Sequence, residues 1–102
     1  MRQTGRTLQE YATAATPAEV IAEAKRFFAR QNGIYAAFPE QESERHLTLR
    51  GQGGEEIALG VEETDGGTRV TASTYLFDQQ VARFFASLPP ASSIAASGGA
   101  TP

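Results

Sequence analysis

The chain has 102 residues, a formal net charge of −3 and no cysteine. This length corresponds to one domain, and the lack of cysteine excludes a disulfide scaffold and a zinc site built from thiolates. Nine Lys and Arg residues are scattered among twelve Asp and Glu residues, whereas a nucleic-acid binder concentrates its basic residues on one face. We therefore do not expect a nucleic-acid partner.

The composition divides the chain into three parts. Residues 1–5 are expected to form a flexible N-terminus, and residues 6–90 carry the apolar patterns of one folded domain. Residues 91–102 are almost all Ala, Ser, Gly, Thr and Pro, with Ile94 as the one large apolar residue. We expect this tail to be flexible, because it buries too little apolar surface to offset the entropy cost of ordering.

The chain shows no apolar run of the kind found in a signal peptide or a membrane span. We therefore expect a soluble, cytoplasmic protein with no direct membrane span. A membrane-associated partner is left open by this reasoning.

A strand pattern over residues 7–12 begins the domain, and we expect Leu8 to face the core. The first helix is predicted over residues 17–31. Thr16 and Glu19 form a capping-box pattern around it, with Pro17 at the first helical position. Its apolar residues recur at helical spacing on one face: Val20, Ile21, Ala24, Phe27 and Phe28.

Between the helices the apolar period changes to two, which predicts half-buried antiparallel strands. The alternating apolar residues are Ile34, Ala36 and Phe38; Leu47 and Leu49; Ile57, Leu59 and Val61; and Val70, Ala72, Thr74 and Leu76. Turns are predicted at residues 51–54 and 65–67, both rich in glycine.

Keeping the apolar residues on one face predicts the register of the central strands. Leu49 then pairs with Ile57, and this pairing sets Arg50 opposite Glu56. By the same argument Val61 pairs with Val70, Leu47 with Leu59, and Glu62 with Arg69. Two pairs of opposite charge thus arise from a register chosen on hydrophobicity alone.

The second helix is predicted over residues 79–88, with Asp78 as its N-cap and Pro89-Pro90 as its stop. Val81, Phe84, Phe85 and Leu88 form its apolar stripe. The sequence therefore predicts an α+β domain in the order β-α-β-β-β-β-α. Its single antiparallel sheet of about five strands carries both helices on one face.

This element order resembles that of one repeat of the TATA-box-binding protein and, in enlarged form, that of the START-like helix-grip proteins. The resemblance covers about residues 6–90 and concerns element order alone. It implies a curved antiparallel sheet with both helices on one face. Helix-grip proteins hold a ligand between sheet and helix, whereas the two Phe of the second helix stripe would fill that space here.

His46, the one histidine of the chain, is the obvious candidate for catalysis. Glu44 or Glu62 with Thr71 or Ser73 could complete a Ser-His-Glu type of arrangement, but the chain has no G-x-S-x-G pattern. We interpret His46 as a surface or interface residue. The sequence predicts no metal site and no cofactor, and an enzyme is the less favoured interpretation.

The sheet face opposite the helices is the better candidate site, with a plain solvated sheet face as the alternative. It is predicted to combine small residues with Tyr and Arg, a composition typical of protein-contact surfaces. The candidate residues are Tyr35, His46, Thr48, Arg50, Arg69 and Tyr75, with Ile94 of the tail as an apolar anchor.

The leading hypothesis is therefore a non-enzymatic protein-interaction module, an accessory subunit that binds other protein subunits. The alternative is a small-ligand carrier or a minimal enzyme of the helix-grip type. Homo-oligomers are left open.

Overall fold

The structure is a computed structural model, and it describes residues 7–91. Five strands form one sheet: β1 (Thr7–Thr13), β2 (Ala37–Glu42), β3 (His46–Gly51), β4 (Glu56–Thr64) and β5 (Gly67–Thr74). The helices are α1 (Pro17–Ala29), α2 (Asp78–Ala86) and a short 3-10 helix, Gly33–Tyr35. The strand order is β1-β5-β4-β3-β2 and neighbours are antiparallel. The predicted α+β fold class is confirmed. Ile94, residues 1–5 and all of the predicted flexible tail except Ala91 lie outside the described residues.

The predicted register of the central strands is confirmed. Leu49 pairs with Ile57, and Arg50 lies opposite Glu56; likewise Val61 pairs with Val70. Because side chains alternate across a strand, this register sends every large aliphatic residue of β3, β4 and β5 to one face. These residues are buried: Leu47, Leu49, Ile57, Leu59, Val61, Val70 and Ala72.

Both helices pack on that same face and complete one core. Their buried residues are Val20, Ile21, Ala24 and Phe28 from α1, with Val81, Phe84 and Phe85 from α2. The ring of Phe84 lies 5.4 Å from that of Phe28 and 5.6 Å from that of Phe27. Phe27, which was predicted to be largely buried, packs against this core but is only half-buried.

Helix α1 begins as its sequence predicts. The Thr16 side chain accepts a hydrogen bond from the Glu19 N–H at 3.1 Å, and the Thr16 N–H donates to the Glu19 carboxylate at 2.9 Å. The helix ends at Ala29 rather than residue 31. The chain then enters the 3-10 helix at Gly33, whose φ of +44° favours glycine.

The start of α2 differs from the prediction. Asp78 is the first residue of the helix, and the N-cap position is held by Phe77, which forms no side-chain cap. The Phe77 side chain is buried instead, at 2% exposure. The Asp78 carboxylate accepts a hydrogen bond from the Thr7 hydroxyl at 2.8 Å. The N-cap position of α2 is therefore occupied by a residue that packs in the core and does not cap the helix.

The prediction that Leu8 faces the core is wrong. Leu8 is 65% exposed, because the register with β5 sends Gln9 and Tyr11 to the helix side. Gln9 donates from its side chain to the Asp78 carbonyl at 3.0 Å, and the Tyr11 hydroxyl donates to the Leu88 carbonyl at 3.2 Å. The polar residues of β1 thus fasten α2 near both of its ends.

The segment after α2 returns to the outer edge of β1. The Ala14 N–H donates to the Pro89 carbonyl at 2.9 Å, and the Ala91 N–H donates to the Ala12 carbonyl at 3.1 Å. Ala91 is buried, so the folded part of the chain reaches this residue.

Gly67 provides a test of the turn between β4 and β5. Its φ is +151°, and an added Cβ would lie 2.1 Å from the Thr13 carbonyl oxygen. We expect Gly67→Ala to lower the free energy of unfolding by about 2 kcal/mol or more, because it combines backbone strain with a clash. Gly66 has nothing within 4 Å of an added Cβ, so Gly66→Ala should change stability by less than about 0.5 kcal/mol. Urea unfolding measures both variants, and equal losses would contradict this account.

Candidate interaction surface

The sheet face opposite the helices has a centre of small side chains. The register aligns Thr48 with Ala58 and Ala58 with Ser73, and the next row aligns Gly60 with Thr71. These short side chains lie between two groups of charged residues, one around Arg50 and one around Arg69.

Arg50 and Arg69 each lie between two carboxylates on this face. Arg50 is 2.7 Å from Glu40 and 3.8 Å from Glu56. The hydrogen bond to Glu40, with the charge of both carboxylates, raises the pKa of Arg50. Arg50 therefore offers a partner no unpaired positive charge.

Arg69 repeats this arrangement at the other end of the face. It is 2.7 Å from Glu62 and 4.0 Å from Glu10, and the hydrogen bond to Glu62 is the main cause of its raised pKa. The cross-strand partners were predicted from the sequence. Glu40 and Glu10 were not, because they lie on edge strands whose register was unassigned.

His46 lies opposite Gly60 on the open face and is exposed. Its backbone N–H donates to the Ser43 hydroxyl at 3.1 Å. Within residues 7–91 the imidazole forms no hydrogen bond to a hydroxyl or carboxylate. The structure therefore does not assemble the Ser-His-Glu arrangement from the described residues.

Tyr35 is not on the open face, where the sequence had placed it. It lies in the 3-10 helix at the end of the sheet, and its ring is 5.9 Å from that of the buried Phe77. Tyr75 lies just beyond the last residue of β5 and is 55% exposed. The candidate set is thus divided between the open face and one end of the sheet.

That end of the sheet collects the large exposed apolar side chains. The register brings together the starts of β1, β2 and β4 and the ends of β3 and β5: Thr7 pairs with Thr74, Thr74 with Ile57, and Ala37 with Gly51. Six residues at or next to these positions are 41–68% exposed, and we call them the apolar end: Leu8, Ile34, Tyr35, Phe38, Tyr75 and Leu76.

Sequence reasoning missed most of the apolar end. Ile34, Phe38 and Leu76 were assigned to alternating strand patterns, and Leu8 was assigned to the core. Two positions separate them from the core: Ile34 and Leu76 lie outside the strands, whereas Leu8 and Phe38 lie one residue inside a strand on the sheet face opposite the helices.

Charges around the apolar end are mostly negative. Glu40 and Glu56 flank Arg50, and Glu55 lies beside Gly51. Asp78 begins α2 at the same end. We call Glu40, Glu55, Glu56 and Asp78 the acidic rim.

The space between sheet and helices is filled by side chains. Phe28, Phe77 and Phe84 are each at most 2% exposed there. Two surface grooves of about 430 and 450 Å³ lie beside α1, one facing the β2–β3 turn and one facing the end of α2.

The described part of the chain holds no cluster of three or more His, Cys, Asp or Glu residues that could bind a metal ion. None of the helices in this part of the chain is long and apolar enough to cross a membrane.

No protein-family model matches the chain, and no curated protein matches it. Its fold is similar to the crystal structure of the protein SSP2350 from Staphylococcus saprophyticus, determined by a structural genomics consortium. The TM-score is 0.50 at 17% sequence identity, over 79% of this chain and 78% of that chain. At this identity the likeness shows the fold alone.

The apolar end should contribute little to the stability of the isolated chain. Ile34 and Leu76 are each 68% exposed, so the double variant Ile34→Ser/Leu76→Ser should change the free energy of unfolding by less than about 1 kcal/mol. Phe84→Ala, at a fully buried position, should cost about 3–5 kcal/mol. Chemical unfolding of both variants checks this. A loss from the double variant as large as that from Phe84→Ala would show that the apolar end belongs to the core.

Proposed function

We propose that the protein is a non-enzymatic protein-interaction module, and that it works in the cytoplasm as a small accessory subunit of a larger assembly. The observation that carries this proposal is the apolar end. Six large apolar side chains lie in water at one end of the sheet, although the core on the helix side is complete without them. Clusters of exposed apolar residues with a polar rim mark contact sites for other proteins.

The element order and the placement of both helices on one face support a fold of the TATA-box-binding-protein or helix-grip type. The filled interior favours the interaction module over the ligand carrier. A carrier needs a concave site that encloses most of its ligand, and here Phe28, Phe77 and Phe84 occupy the region between sheet and helices.

The test is recovery of partners from the native host with a tagged chain. We expect the wild type to retain a defined set of proteins, and Ile34→Ser/Leu76→Ser to lose them, because the variant removes exposed apolar contact area without touching the core. Ala18→Ser/Ala22→Ser changes two exposed residues of α1 and serves as the matched control, which should retain the set.

Quantitative mass spectrometry of the co-purified proteins gives the result. Sedimentation of the purified chain shows in parallel whether a second copy is the partner. Identical sets of proteins on the wild type and the apolar-end variant, with no change in oligomeric state, would contradict the proposal.

A further inference from the structure

Helix α2 begins at the apolar end, and no side chain caps its first turn. The residue at its N-cap is Phe77, which has no side-chain acceptor, and the first intrahelical bond runs from the Val81 N–H to the Phe77 carbonyl at 2.9 Å. The N–H groups of Asp78, Gln79 and Gln80 precede that bond. In many helices a Ser, Thr, Asp or Asn at the N-cap accepts a hydrogen bond from one of these first N–H groups.

A cleft of about 290 Å³ opens at this helix start. It is lined by Tyr35, Leu76, Asp78, Gln79 and Gln80. The Tyr35 ring and the Leu76 side chain belong to the apolar end, so the cleft combines apolar walls with the uncapped first turn of α2.

Gln80 is the second, independent sign of a binding site. It is only 6% exposed and lines this cleft. Its side-chain amide forms no hydrogen bond to another residue in the range 7–91. Although the residue is largely buried, its amide nitrogen and oxygen keep contact with solvent, so a partner that enters the cleft can reach them.

The charges at the cleft select the kind of partner. Asp78 lies in the cleft, and the carboxylates of the acidic rim outnumber Arg50 at the same end of the sheet, so the net negative charge would repel a carboxylate or phosphate. A neutral carbonyl can accept from the uncapped N–H groups, and a main-chain amide can both donate to and accept from the Gln80 side chain. Lys or Arg beside the bound residue would complement the acidic rim.

We propose that this cleft binds an apolar residue of a partner polypeptide whose main-chain carbonyl caps α2 and whose neighbouring residues are Lys or Arg. The inference rests on the proposed interaction module and names its partner chemistry. The partner supplies the cap that Phe77 does not provide, while Tyr35 and Leu76 contact its apolar side chain.

The probe is a phage-displayed library of random peptides selected on the full-length chain. We expect the enriched peptides to combine an aliphatic or aromatic residue with adjacent Lys or Arg and to be poor in Asp and Glu. A synthetic peptide of the consensus should bind in a fluorescence anisotropy titration, and the binding should weaken at higher salt because the flanking charges are exposed.

Gln80→Leu should lower the affinity for that peptide by about tenfold or more, since it leaves the main-chain amide of the peptide without its partner. Gln41→Leu makes the same chemical change on exposed β2 and should have no effect on affinity. Thermal unfolding of both variants shows whether they are folded, and Leu76→Ser provides a second cleft variant if Gln80→Leu is unstable.

Failure to enrich peptides, enrichment of acidic peptides, or equal affinity for the wild type and the cleft variants would overturn this inference. A failure of this inference can be distinguished from a failure of the proposed function. If Ile34→Ser/Phe38→Ser, which leaves the cleft lining unchanged, loses its native partners while Gln80→Leu and Leu76→Ser keep them, the interaction module stands and only the cleft assignment is wrong.

Discussion

The contact of Phe84 with Phe27 and Phe28 joins the two helices on one face of the sheet. Every other element depends on this layer, because the aliphatic residues of β3, β4 and β5 are buried only while both helices remain on them. Fully buried aromatic side chains are among the most costly to remove from a core. A sheet covered on one face alone leaves its other face and its ends free for contacts with other proteins.

In edge strand β1, polar residues also face the helices and bind to α2. Gln9 and Tyr11 occupy helix-side positions of β1, and each donates a hydrogen bond to a backbone carbonyl at or near an end of α2. This arrangement anchors α2 at its start, although Phe77 provides no cap there. The start of α2 is therefore fixed in position, while its first N–H groups have no acceptor among residues 7–91, so an acceptor from another chain can bind there.

The central fold was predictable because local and long-range signals agree there. The alternation in β3, β4 and β5 permits one register that buries all aliphatic residues, and that register also pairs Arg69 with Glu62. Leu8 was misassigned because β1 carries polar residues on both faces, so its sequence pattern does not determine which face turns to the helices. The apolar end was missed because its members are distant in sequence and meet only through the strand order.

The most direct test of the account is amide hydrogen exchange of the chain alone and in complex with its partner. We predict that protection rises at residues 34–38 and 75–80 in the complex, while exchange at Thr48, Ala58 and Ser73 stays the same. Fast exchange at Asp78 and Gln79 in the free chain, slowed in the complex, would match a cap supplied by the partner. Protection confined to the open face or to the outer side of α1, with none at the apolar end, would contradict the account.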